Sequence, residues 1–182
     1  VESVASLLAP LAAERSVQVR AATGPCEAVG DVGRLRVVLI NLVSNAIKYN
    51  RVGGSVDITS RQDGPSVVVE VADNGPGIPA EQFEQAFAMF ERLDASGRKV
   101  TGAGLGLAIA REYATAMGGR LDGHPRDGGG AVFEITLPAQ AAPAEPIDGV
   151  IGVADAPIDD ASVPVVEDVR PSVLYIEDNP MN

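Results

Sequence analysis

Asp31-Val32-Gly33-Arg34-Leu35-Arg36-Val37-Val38-Leu39-Ile40-Asn41-Leu42-Val43-Ser44-Asn45-Ala46-Ile47-Lys48-Tyr49-Asn50 is the stretch on which the fold turns. Asp31 suits the N-cap position, because its carboxylate can accept from the unpaired N–H groups of a first helical turn. Behind it Leu35, Val38, Leu39, Leu42, Val43 and Ala46 recur three and four apart, which predicts a helix with one apolar face against a core. At about 100° per residue, Asn41, Asn45 and Lys48 share the opposite side. Asparagine is a mediocre helix former, so two of them one turn apart suggest work for their side-chain oxygens. An amide oxygen fits the octahedral oxygen shell of Mg2+, completed by water and phosphate, and Lys48 would bring charge to the same phosphates. A solvated polar helix face accounts for the pattern equally well.

Before this helix, Val1, Val4, Ala5, Leu8 and Leu11 recur at helical spacing, and Val17 and Val19 then alternate with polar neighbours as a strand does. After it come two strand-like runs, Val56 to Thr59 and Val67 to Val71, the second leading into Asp73-Asn74-Gly75-Pro76-Gly77. A carboxylate at a strand end, followed by glycines, sits beside backbone that a ligand can approach closely. A purine amine is one donor such a carboxylate would accept from; a plain turn is the alternative. Residues 80–100 show no convincing period and read as a mobile lid. Gly102, Gly104 and Gly106 then precede a helix that runs to Gly118-Gly119. Backbone N–H groups at a helix start make a phosphate cradle, although the spacing is neither that of a P-loop nor of a dinucleotide fingerprint. Val132, Phe133 and Ile135 to Leu137 make a last strand before Pro138.

In this order the elements resemble the ATP-binding domain of histidine protein kinases. Asn41 to Asn50 is similar to its asparagine box, Asp73 to Gly77 to its first glycine box, and Phe87 to Arg92 to its phenylalanine box. Gly102 to Leu107 is similar to its second glycine box and Phe133 to Pro138 to its closing strand. The resemblance implies an α/β fold, a two-layer sandwich with a mixed sheet covered by helices on one face and a flexible ATP lid. It implies that ATP and Mg2+ bind, with Asn45 the metal ligand and Asn41 and Lys48 assisting at metal and phosphates. Tyr49 and Ile78 would line the adenine pocket, Asp73 would accept from the adenine amine, and Gly75 and Gly77 would shape that pocket. Phe87, Phe90 and Arg92 would belong to the lid, with Arg92, or Arg98 or Lys99, reaching the terminal phosphate. Gly102, Gly104, Leu105, Gly106 and Leu107 would hold the phosphates, and Ala103 stands where a small hydroxyl residue is common. ATPases of the same fold carry a glutamate at position 41 to activate water; Asn41 cannot act as a base at neutral pH, which favours transfer over hydrolysis.

The ends qualify this picture. The net charge is −11, and residues 1–138 carry 16 acids against 13 bases while residues 139–182 carry 9 acids against Arg170 alone. That balance excludes nucleic acid as the main partner. One cysteine, Cys26, excludes a disulfide framework, and no signal peptide or apolar run of membrane-spanning length is present, so a cytoplasmic fragment without direct membrane contact is expected. The domain is expected to occupy 1–138, an Ala/Pro/acid-rich linker 139–171, and the start of a response-regulator receiver domain 172–182, where Ser172 to Pro180 resembles a receiver's first strand. His124 is the only histidine and is expected in a solvated loop. The phosphoryl acceptor would therefore lie on an upstream dimerisation domain, leaving a monomeric fragment. A non-catalytic nucleotide-sensing or interaction module, and a serine kinase of the anti-sigma type, are the competing readings.

Overall fold

The computed structural model describes residues 1–88, residues 105–140 and the backbone of 173–176. Helix α1 (Glu2–Glu14) leads through β1 (Gln18–Thr23) and β2 (Cys26–Val29) to α2 (Val32–Lys48). β3 (Ser55–Asp63) and β4 (Ser66–Asp73) follow, then a single 3-10 turn (Ala80–Gln82) and α3 (Phe83–Ala86). After the undescribed stretch come α4 (Gly106–Ala116), β5 (Arg120–Pro125), β6 (Ala131–Pro138) and β7 (Val173–Ile176). The main sheet has the order β1-β3-β4-β6-β5; β1 runs parallel to β3, and the remaining neighbours are antiparallel. This is the mixed α/β sandwich that the sequence predicts.

The helices cover one face of the sheet. Asp31 caps α2 as expected, its side chain accepting from the Arg34 N–H at 2.8 Å. Every residue of the predicted apolar face is buried, with Val38 and Val43 at 0% exposure and Leu42 at 1%. They meet Val56, Ile58, Val67, Val69, Val71, Phe133, Ile135 and Leu137 from the sheet, alternate residues that point to one side because strand side chains have period two. The other face of the sheet is charged. There Glu70 and Glu134 lie directly opposite in register, a repulsive pairing, and Arg61 bridges them at 3.5 and 2.9 Å.

The structure departs from the sequence reading in several places. Residues 80–88 are not lid: Phe83 and Phe87 are buried, and both pack against Phe133, one tilted and one edge-on, at ring distances of 5.8 and 5.9 Å. Arg111 of α4 clamps this root, holding Glu84 at 2.9 Å and lying 4.5 Å above the Phe87 ring. The reason is burial: two aromatic side chains four apart have more to gain in the core than a free loop offers. His124 lies on β5 rather than in a loop, because Leu121 fills the core and the segment pairs with β6 along its whole length. The body also continues past 138, since Ala139 forms a bridge to Ala28 and Gln140 donates to Glu27. Residues 141–171 of the linker expected at 139–171, and residues 177–182 of the receiver-like segment, fall outside the described residues. Val173–Ile176 is a strand, and it pairs antiparallel with β2 of the body.

Candidate functional site

α2 presents the three polar residues that the helical wheel puts together. Asn41, Asn45 and Lys48 are each half-buried, and Tyr49 just past the helix is 47% exposed. The Asn41 amide N–H donates to the Val37 carbonyl at 3.0 Å, which leaves its oxygen turned toward the start of α4. There a Cβ on Gly106 would stand 2.7 Å from Asn41 Oδ1, so a larger residue would displace the Asn41 amide from this position. The Asn45 side chain makes no hydrogen bond among the described residues, while its carbonyl accepts the Tyr49 N–H at 2.9 Å. An uncommitted amide oxygen on this face fits a hard, oxygen-preferring cation shared with phosphate.

Asp73 ends β4 and is 9% exposed. Its Oδ1 accepts the Gly75 N–H at 2.8 Å. Burial pushes the carboxyl above its ordinary value; the N–H groups of Gly75 and Ala131 and the charge of Arg126 pull the other way. A Cβ on Gly75 would be 3.2 Å from the Tyr49 carbonyl oxygen and from Asn50 Cα, so the loop after β4 is seated on the end of α2. Gly77 has φ of +76° and would place a Cβ 2.7 Å from the Gly130 oxygen, excluding any other residue. Ile78 packs, partly buried, against the core.

Leu105 is the N-cap residue of α4 and supplies no side-chain cap, so the N–H groups of the first turn have no partner from it. Leu107 is partly buried in the core. Asn41, Asn45, Lys48 and Tyr49 thus line α2, with Gly75 seated at its C-terminal end and Gly106 against Asn41, and Asp73, Gly77, Ile78, Leu105 and Leu107 flank those two contacts. Phe90, Arg92, Arg98, Lys99, Gly102 and Gly104 lie outside the described residues.

Two asparagines do structural work that the sequence reading did not assign. Asn74 Oδ1 accepts the Ser55 N–H at 2.7 Å, which ties the loop to the start of β3. Asn50 is buried, donates to the Ser55 carbonyl at 3.0 Å and accepts from the Arg51 N–H at 2.9 Å. An Asx-turn reading of Asp73-Asn74-Gly75 accounts for the Asp73–Gly75 bond, whereas Asn74 reaches back to Ser55, and no sequence signal marks either asparagine's role.

Comparison with known proteins agrees with this geometry. Residues 30–141 match the family model of the histidine kinase-, DNA gyrase B-, and HSP90-like ATPases. The aerobic respiration control sensor protein ArcB of Escherichia coli is 36% identical over 153 residues, covering 82% of this chain and 19% of ArcB. The signal transduction histidine-protein kinase AfsQ2 of Streptomyces coelicolor is 37% identical over 139 residues, 76% of this chain and 24% of AfsQ2. The chain therefore spans about a fifth to a quarter of the length of these relatives. Among solved structures, the mycobacterial sensor histidine kinase MprB superposes with a TM-score of 0.69 at 27% identity, covering 78% of this chain and 96% of that one. Full-length ShkA, solved in complex with AMPPNP, superposes with a TM-score of 0.68 at 35% identity, covering 78% of this chain and 29% of that one. The chain belongs to the histidine kinase-, DNA gyrase B-, and HSP90-like ATPase family, and its body is homologous to the catalytic domains of sensor histidine kinases.

Proposed function

We propose that this chain is the ATP-binding catalytic domain of a two-component sensor kinase and presents the terminal phosphoryl of ATP to a histidine on an upstream dimerisation domain. The observation that carries the reading is that two separated glycine segments both pack on the helix that bears the asparagines: the loop after β4 rests on the end of α2, and α4 begins against Asn41. Asp73 accepts from the adenine amine, and Gly75, Gly77, Ile78 and Tyr49 shape the pocket around the ring. The first turn of α4 offers N–H groups to the phosphates, with Leu105, Gly106 and Leu107 placing them. Asn45 holds Mg2+, and Asn41 and Lys48 complete the polar face; the bound ion supplies charge neutralisation on the phosphates. Gly102, Gly104, Phe90 and Arg92 are assigned by resemblance to the phosphate loop and lid.

Transfer needs the imidazole nitrogen in line with the bond that breaks to the leaving ADP, and positioning with charge neutralisation supplies most of the acceleration. Asn41 offers no base toward water, so the bound nucleotide is kept for transfer. Residues 172–182 begin a receiver domain in this reading, which makes the parent protein a hybrid kinase working in the cytoplasm. No helix among the described residues is long and apolar enough to cross a membrane.

Calorimetric titration of the chain with ATP, ADP and GTP, each with and without Mg2+, tests the site. Adenine-selective binding that Mg2+ tightens is expected. No binding by folded protein would refute the reading and favour a non-catalytic interaction module. Labelled ATP added with a histidine-bearing dimerisation domain then tests transfer, and label appearing only as free phosphate would make the domain a hydrolase.

A further inference from the structure

Among the described strands of the body, β2 alone stands outside the main sheet. Its burial alternates: Cys26 is 5% and Ala28 0% exposed, while Glu27 and Val29 are partly exposed. One edge of the strand is used by the chain just after β6, where Ala139 bridges Ala28 and the Gln140 N–H donates to the Glu27 carbonyl at 2.9 Å. Neighbouring residues of a strand send their N–H and C=O groups to opposite edges, so those of Cys26 and Ala28 leave by the other edge. An open edge of this kind is a template for a further strand. β7 takes it antiparallel, with Val173 opposite Val29, Leu174 opposite Ala28, Tyr175 opposite Glu27 and Ile176 opposite Cys26. Each strand is four residues long and the register leaves neither with an overhang.

This edge lies away from the candidate nucleotide site. β2 stops at Val29, shortly before the Asp31 cap of α2, and a Cβ on Gly30 would stand 3.3 Å from Sδ of Met117, the residue that closes α4. Asn45 and Gly106 stand toward the opposite ends of the same two helices. The eleven residues of α4 alone span about 16 Å.

We infer that the outer edge of β2 is a strand-docking site whose occupant is this chain's own Val173–Ile176, so that the C-terminal segment is closed back onto the body at the end remote from Asn45 and Asp73. Val173-Leu174-Tyr175-Ile176 is an uncharged, largely β-favouring run set between Arg170 and the acidic pair Glu177-Asp178. A pairing of two such short strands is marginal on its own. Connection through residues 141–172 makes the closure intramolecular, so it needs no partner concentration. The inference uses nothing of the nucleotide reading and stands or falls apart from it.

The experiment is nuclear magnetic resonance with amide exchange on the 182-residue chain, comparing the parent, Leu174→Pro and Tyr175→Pro. The parent should show a cross-strand contact between the Hα atoms of Glu27 and Tyr175, which the register makes a non-hydrogen-bonded and therefore close pair. Proline at 174 removes the N–H that faces Ala28, whereas proline at 175 removes one that leaves by the outer edge. Leu174→Pro should therefore speed exchange of the Ala28 N–H by about tenfold or more, and Tyr175→Pro should preserve its protection. Val29, whose N–H leaves by the Ala139 edge, should exchange alike in all three. Absence of the Glu27–Tyr175 contact in the parent, or equal protection of Ala28 in the parent and in a folded Leu174→Pro, would overturn the inference. If the protection of Ala28 falls on dilution and sedimentation shows a dimer, the occupant is a second copy and the inference fails. Should Leu174→Pro unfold the body, seen as loss of protection at Val29, the parent's contact and its dilution series decide.

Discussion

Replacing Asp73 should affect ligand binding and stability in opposite directions. In the adenine reading, Asp73→Ala removes a buried carboxylate acceptor. A hydrogen bond to a charged group contributes about 1.5–3 kcal/mol, and an adenine amine left unpaired adds about 1 kcal/mol. ATP affinity should fall by about 2–4 kcal/mol, roughly thirty- to a thousandfold. Asp73→Asn keeps the shape and an oxygen that can accept, so it should lose less, about tenfold. Stability should move the other way in Asp73→Asn. Burial raises the folded carboxyl above its ordinary value of 3.8, so the folded domain holds this proton to higher pH than the unfolded chain does. The group's contribution to stability therefore falls as pH rises from that ordinary value through the raised folded one, and the cost is fully present above it. An amide does not titrate, so Asp73→Asn should gain on the parent as pH rises toward neutrality. Calorimetric titration at pH 7.5 and thermal unfolding across pH 4 to 8 measure the two effects. Unchanged ATP affinity would remove Asp73 from the pocket. An Asp73→Asn variant that is less stable than the parent at neutral pH would show that the carboxylate serves the fold rather than a ligand.

Other residues give independent checks. Asn45→Ala should abolish the tightening of ATP binding by Mg2+ while leaving the fold intact; persistent Mg2+ dependence in a titration would put the metal ligand elsewhere. Gly106→Ala forces a Cβ to within 2.7 Å of Asn41 Oδ1, so the Asn41 amide must turn away from its Val37 bond, at a cost of about 1 kcal/mol, with weaker phosphate binding seen as reduced affinity for ATP. Denaturant unfolding that shows no loss would mean the amide gives way freely. Leu42→Ala opens a cavity under a side chain that is 1% exposed and should cost about 2–5 kcal/mol of stability, read as a lower denaturant midpoint at unchanged slope.

α2 was readable residue by residue, because a helix on a core repeats its burial every three to four positions and Asp31 marks its start. β4 and its loop were equally plain, since an apolar run ending in Asp73-Asn74-Gly75-Pro76-Gly77 signals both the strand and its turn. The motifs in series resemble the histidine kinase family strongly enough to imply its fold. β5 was not readable: Arg120-Leu121-Asp122-Gly123-His124-Pro125 has a weak strand pattern, and its conformation is imposed by pairing with β6.

The amino-acid sequence by itself determined which helix carries Asn41, Asn45 and Lys48 and which strand ends in Asp73, because periodicity and turn chemistry are local properties. Only the tertiary structure decided that α3 is core rather than lid, that Gly106 lies against Asn41, and that the turn at Gly130 rests on the Asp73 backbone. Those facts depend on close approach between segments far apart in the chain, Gly130 against Asp73 and Phe83 against Phe133. Such contacts arise from packing three-dimensional surfaces to high density, and nothing in the spacing of residues along one segment encodes which distant backbone will come to rest on it.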